Sequence, residues 1–158
     1  IRDKLVTGVQ TCALPILESN GFSKDEYDYY DVDMLLPSDS EIIQYLNEYK
    51  PDVVGLSAVV STCYAQVKRL SSIIRRNRPD CWIVLGGSLT ASSNLILHMT
   101  EVDVCVVGDG EIAWVDFLNY AKAYRRALQY DVLSKITGLA YLNKSREDRK
   151  STRLNSSH

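Results

Sequence analysis

The sequence predicts an open α/β sheet, mostly parallel and wound by helices on both faces, and three observations carry that prediction. Short β-branched apolar runs alternate with amphipathic helical stretches: Asp52 to Val60 (DVVGLSAVV), Cys81 to Leu85 (CWIVL) and Asp103 to Val107 (DVCVV). These runs are almost continuously apolar, as strands covered on both faces are. Each also ends in a loop of small residues, Ser57 to Thr62, Gly86-Gly87-Ser88 and Gly108-Asp109-Gly110-Glu111.

The elements follow in order. Leu17 to Phe22 (LESNGF) reads as the end of a helix closed by a turn at Asn20-Gly21, and Tyr29 to Leu35 as a short or edge strand. After Pro37, Ser38 and Glu41 spell a capping box; Ile42, Leu46 and Tyr49 then recur at helical spacing until Lys50 and Pro51 stop the helix. Beyond the strand Asp52 to Val60, Ser61 and Thr62 are positioned to cap a helix whose seam is Cys63, Val67, Leu70 and Ile74. Lys68, Arg69, Arg75, Arg76 and Arg78 lie mostly off that seam. A short helix around Ser93 to Met99 follows the next strand. Ile112 to Tyr124 is helical after the third, with Ile112, Val115 and Leu118 on one face, and Ile136 to Leu142 (ITGLAYL) is a last strand.

Composition bounds the function. The chain has 158 residues, 46% hydrophobic and 24% charged, with a net charge of -2, which suits one soluble globular domain. Without clustered Lys and Arg it lacks the footprint of a nucleic-acid binder. No apolar run approaches the roughly 20 residues that span a bilayer, so no membrane role and a cytoplasmic location are expected. The 4 cysteines, Cys12, Cys63, Cys81 and Cys105, form no Cys-x-x-Cys pair, and neither a zinc nor an iron-sulfur site is spelled out.

The two ends stand apart. Residues 1–16 (IRDKLVTGVQTCALPI) and about 149–158 (RKSTRLNSSH) show neither periodicity nor clear caps. Both resemble translated sequencing-adapter residue from environmental assemblies. They are set aside, leaving a domain at 17–142 and, at 143–158, the start of a linker plus the odd tail.

In open parallel sheets the ligand lies beyond the carboxyl ends of the strands, so the three small-residue loops should converge on one site. Paired glycines open a slot for a large ligand, and Ser57, Ser61, Ser88 and Thr90 offer hydroxyls without charge, which suits a bulky neutral cofactor. A rival reading is a dinucleotide, because Gly108-Asp109-Gly110-Glu111-Ile112-Ala113 has the letters of the G-x-G-x-x-(G/A) fingerprint. Asp109 and Glu111 would then stand beside a pyrophosphate, against its charge. Those two carboxyls are read as holding their turn, so neither a catalytic residue nor a metal ligand is assigned.

Three segments, YKPDVVGLSAVVSTCYAQVKRLSSIIRR, DCWIVLGGSLTASSN and EVDVCVVGDGEIAWVDFLNY, resemble the cobalamin-binding domain that precedes the catalytic barrel of B12-dependent radical SAM proteins. The resemblance implies a flavodoxin-like (Rossmann-like) sheet of order 2-1-3-4-5. It implies that Ser57, Ala58 and Val59 and the Gly86-Gly87 loop line the corrin and its nucleotide tail. Ser61, Thr62, Ser88 and Thr90 are added as candidate contacts, and Gly108, Asp109, Gly110 and Glu111 close the same face. It further implies that the chain binds rather than catalyses. The parent's barrel, in cis, would carry a [4Fe-4S] cluster and S-adenosylmethionine for methyl transfer or radical chemistry. The alternative is a stand-alone α/β ligand-binding or receiver-like module.

Two departures accompany the resemblance. The Asp-x-His-x-x-Gly motif that supplies a lower axial histidine in many cobalamin-binding domains is absent, and His98 reads as a helical surface histidine. The family's first strand should precede Leu17, where residues 1–16 stand. The domain is therefore expected to lack that strand and, with unpaired backbone at its centre, to be insoluble or molten.

Overall fold

The computed structural model describes residues 5–8, 13–58, 63–108, 110–142 and 154–157. In chain order the elements are β1 Leu5–Gly8, α1 Ala13–Ser19, β2 Tyr27–Tyr29, α2 Val32–Leu35, α3 Asp39–Tyr49, β3 Val53–Ser57 and α4 Tyr64–Asn77. They continue with β4 Trp82–Gly86, a 3-10 turn Ser88–Ser92, α5 Ser93–Met99, β5 Val104–Val106, α6 Gly110–Tyr124, α7 Tyr130–Leu133, β6 Leu139–Leu142 and β7 Leu154–Ser157.

Among the described residues the strands form one sheet of order β2-β1-β3-β4-β5-β6-β7. The first five are parallel, and β6 and β7 are added antiparallel at one edge. The parallel part has the 2-1-3-4-5 order of a flavodoxin-like fold. Alternation along each strand splits the core in two. Val54, Leu56, Ile83, Leu85 and Cys105 pack beneath α3, α4 and α5, whereas Val53, Trp82, Val84, Val104 and Val106 pack beneath α1 and α6. Helices on both faces are what near-continuous apolar strands require. Burial pushes the Cys81 thiol up to about 12, with the Asp103 charge adding to the shift, and burial alone pushes Cys105 up to about 12.

The capping box is complete: Glu41 N–H donates to Ser38 Oγ at 3.3 Å and Ser38 N–H to Glu41 Oε2 at 2.7 Å. Arg69 Nη2 ties α4 to the start of α3, donating to Asp39 Oδ1 at 2.6 Å.

Four readings need correction. The central position expected to lack a strand is filled by Leu5–Gly8, from within the string set aside, paired in parallel with both β2 and β3. Backbone groups on either flank require a partner, and an extended tetrapeptide supplies it through main-chain bonds. Tyr29 to Leu35 is not one strand. β2 ends at Tyr29, and Asp31 Oδ1 accepts from Met34 N–H at 2.9 Å, capping the helical turn α2. Ile112 lies 77% exposed, off the buried face that Val115 and Leu118 share with Ala113 and Phe117. Finally, the last strand begins only at Leu139, after a turn at Gly138, and runs antiparallel to β5. The tail segment Leu154–Ser157 pairs beside it. The proposed cap residues Ser61 and Thr62 lie outside the described residues. Among those described, no helix is long and apolar enough to cross a membrane.

Candidate cofactor-binding site

Parallel pairing brings the carboxyl ends of β3, β4 and β5 side by side. Ser57 is the register partner of Gly86, and Leu85 that of Cys105 one strand over. Ser57 has the parity of Val53, and Gly86 that of Trp82 and Val84, so both belong to the face covered by α1 and α6. Both are half-buried.

The next residues are fastened by main-chain bonds. Ala58 N–H donates to Gly86 O at 3.0 Å, and Leu89 N–H returns to Ala58 O at 3.1 Å. Gly87 sits at φ +92°, and a Cβ there would stand 2.4 Å from Ala58 O. Only glycine fits this position, on conformation and on space. Gly86 differs, since a Cβ there would meet nothing nearer than Leu56 O at 4.0 Å. Ser88 is exposed beside Gly87, whereas Thr90 is only 3% exposed and gives its hydroxyl to Gly87 O at 2.7 Å.

The third loop follows β5. Gly108 is exposed at φ +81° with nothing within 4 Å of its missing Cβ, while Gly110 brings α6 so close that a Cβ would stand 2.6 Å from Val106 Cγ1. Glu111 lies exposed in the first turn of α6 and offsets that helix's positive end. A pyrophosphate would have to compete with it, which disfavours the dinucleotide reading. Val107 N–H donates to Gly138 O at 2.7 Å, so the turn before β6 braces this loop. Sequence reasoning missed that brace, because Gly138 stood inside a run read as strand.

Of the residues singled out from sequence, Ser57, Ala58, Gly86, Gly87, Ser88, Thr90, Gly108, Gly110 and Glu111 are placed at this one end of the sheet, and Val59, Ser61, Thr62 and Asp109 lie outside the described residues. Exposed apolar side chains border the same end. Met34, Leu35 and Leu36 follow β2 at 77%, 54% and 79% exposure. His98 stands on α5 with its Nδ1 2.8 Å from Asn94 O, the local contact of a helical histidine.

The other end of the sheet is built differently. A cavity of about 160 Å³ opens there, lined by Phe22, Val53, Trp82 and Leu118, with Lys122 and Arg126 among its cations. Both cations already have partners. Lys122 pairs with Glu26 at 2.8 Å, and Arg126 pairs with Asp103 at 3.2 Å and lies over the Trp82 ring. Among the described residues no three of His, Cys, Asp and Glu gather to hold a metal ion.

No curated protein matches the chain. A family profile does: that of the B12 binding domain, over residues 16–118, which begins inside α1 and takes in the strands from β2 to β5 and most of α6. With that span covering well over half of the sequence, and with β3, β4 and β5 ending together in small-residue loops, the chain belongs to the B12-binding domain family.

Proposed function

We propose that the carboxyl end of the sheet holds cobalamin and that residues 17–142, whose sheet also takes in Leu5–Gly8, are the cobalamin-binding part of a B12-dependent radical SAM protein. The observation that carries the binding site is the room at half-buried Gly86, next to half-buried Ser57, where a Cβ would meet nothing nearer than Leu56 O at 4.0 Å. An uncharged macrocycle bearing amides fits such a surface. Ser57 and Ser88 offer hydroxyls, and glycine backbone offers close approach without a formal charge.

When bound, cobalamin supplies a cobalt centre that carries a methyl group or relays an electron. The chain's own part is to orient and to exclude water. Ser57, Gly86 and Ser88 form the floor with buried Ala58 beneath it, Gly108, Gly110 and Glu111 close one side, and Val59, Ser61, Thr62 and Asp109 belong to the same loops by sequence. The barrel, its [4Fe-4S] cluster and S-adenosylmethionine are assigned to the parent on the resemblance of the quoted segments, and a cytoplasmic location goes with that assignment.

Titration with hydroxocobalamin tests the site. Co-elution of the corrinoid with a shifted visible band supports it, and free corrinoid at every protein concentration overturns it. A long read of the source DNA tests the parent. A Cys-x-x-x-Cys-x-x-Cys triplet downstream of Leu142 supports it, and a confirmed stop after His158 refutes it.

A further inference from the structure

The two adjacent glycines of the β4 loop do different work, and one side chain separates their roles. Gly87 has no room for a Cβ, because the Ala58 backbone occupies that space at 2.4 Å, so its missing side chain is used inside the fold. Gly86 has room for one, which would make only an ordinary contact with Leu56 O at 4.0 Å. What holds Gly87 against Ala58 is a set of bonds around Thr90. The Thr90 hydroxyl and the Thr90 N–H both end on Gly87 O, at 2.7 and 3.1 Å, while the intervening Leu89 N–H donates to Ala58 O at 3.1 Å. Thr90 is only 3% exposed and its hydroxyl is spent on Gly87 O, so it is poorly placed to touch a ligand.

We infer that Thr90 is a positioning residue: with the Ala58 carbonyl it fixes Gly87 inside the loop and thereby leaves Gly86 as the glycine that faces the cofactor. This rests on the cobalamin reading above and refines it, since sequence alone counted Thr90 among the direct contacts. A buried hydroxyl that loses its role leaves Gly87 O with one donor fewer and frees the loop to close over Gly86.

Thr90→Val keeps the shape and removes the donor, and Thr90→Ser keeps the donor. Hydroxocobalamin affinity is expected to fall roughly tenfold in Thr90→Val, on the scale of one buried hydrogen bond, and to return to within about twofold in Thr90→Ser. Amide hydrogen exchange without corrinoid gives the independent readout. The Leu89 and Thr90 amides exchange faster in Thr90→Val than in the unsubstituted chain or Thr90→Ser, while amides of α3 and α4 are unchanged. Equal affinity and equal exchange in Thr90→Val overturn the inference and leave the cobalamin reading standing. An unsubstituted chain that binds no hydroxocobalamin overturns both.

Discussion

At the amino ends of its strands the molecule closes itself with charge. Asp103, with its side chain 7% exposed, accepts from Arg75 Nη2 at 2.5 Å, from Arg126 Nη2 at 3.2 Å and from Ile83 N–H at 2.9 Å. Arg75 also donates to Pro79 O and Cys81 O, and Trp82 Nε1 donates to Arg125 O at 2.7 Å. At the carboxyl ends the same strands finish in Ser57, Gly86 and the Gly108 turn, held by Ala58, Leu89 and Val107 main-chain bonds. The contrast separates a stabilising end from the proposed binding end. Ionic groups pair with one another across the strand ends and leave only the small cavity beside Trp82, whereas backbone held by main-chain bonds and the inward Thr90 hydroxyl leaves a surface another molecule can approach.

Substitutions at each end sharpen that contrast. The largest effect belongs to Asp103→Ala, which leaves two guanidinium groups without their shared carboxylate; urea unfolding should show a loss of about 3–5 kcal/mol. Hydroxocobalamin affinity of the molecules still folded should stay unchanged, and a parallel loss of affinity would erase the division between the ends. Next is a comparison of glycines at similar φ. Gly87→Ala combines a left-handed backbone with a contact at 2.4 Å, whereas Gly108→Ala has only the backbone cost. The first should destabilise by roughly 2–4 kcal/mol and the second by about 1 kcal/mol in the same unfolding assay, so equal losses would contradict the Gly87 packing.

A gain of stability is expected elsewhere. Lys50 closes α3 at φ +53°, its N–H donating to Leu46 O at 2.9 Å, and Leu36 closes α2 at φ +45°. Glycine adopts that conformation freely, so Lys50→Gly should raise stability by about 0.5–1 kcal/mol without touching the binding end. The smallest effect is a pH dependence at the amino end. The Lys122 ammonium, with help from Ser23 N–H, holds the Glu26 carboxyl below its ordinary value of 4.5. A carboxyl depressed in the folded state contributes stability above its unfolded pKa and loses it as pH falls through the folded one. Glu26→Gln should therefore flatten the acid limb of a stability profile below pH 4.5, by no more than about 1 kcal/mol for so accessible a pair.

Local signals were legible in the sequence and distant ones were not. The Ser38 to Glu41 box, the Lys50-Pro51 stop and the apolar cores of β3, β4 and β5 depend on neighbours within a turn or on simple alternation, and they stand where the letters place them. Leu5–Gly8 carries no such signal. Its strand character comes from pairing with Tyr27 and with Val53, far along the chain. Asp31 did carry one, a cap three residues before Met34, but the apolar letters after it were read with the wrong period. At the site, the convergence of Ser57, Gly86 and Gly108 followed from topology. The difference between Gly86 and Gly87 did not, since it depends on where the Ala58 carbonyl lies in space.

The burial of Cys81 and Cys105 has a practical side. With both thiols pushed up to about 12 by desolvation, they resist alkylation at neutral pH, while Cys63, half-buried, stands just before α4 at the carboxyl end of the sheet. In a Cys12→Ser background a maleimide dye then attaches at Cys63, beside the loops that gather there. Because corrinoids absorb strongly in the visible range, quenching of that dye would report occupancy of the site in real time, and the interior sulfurs make the reporter site-specific.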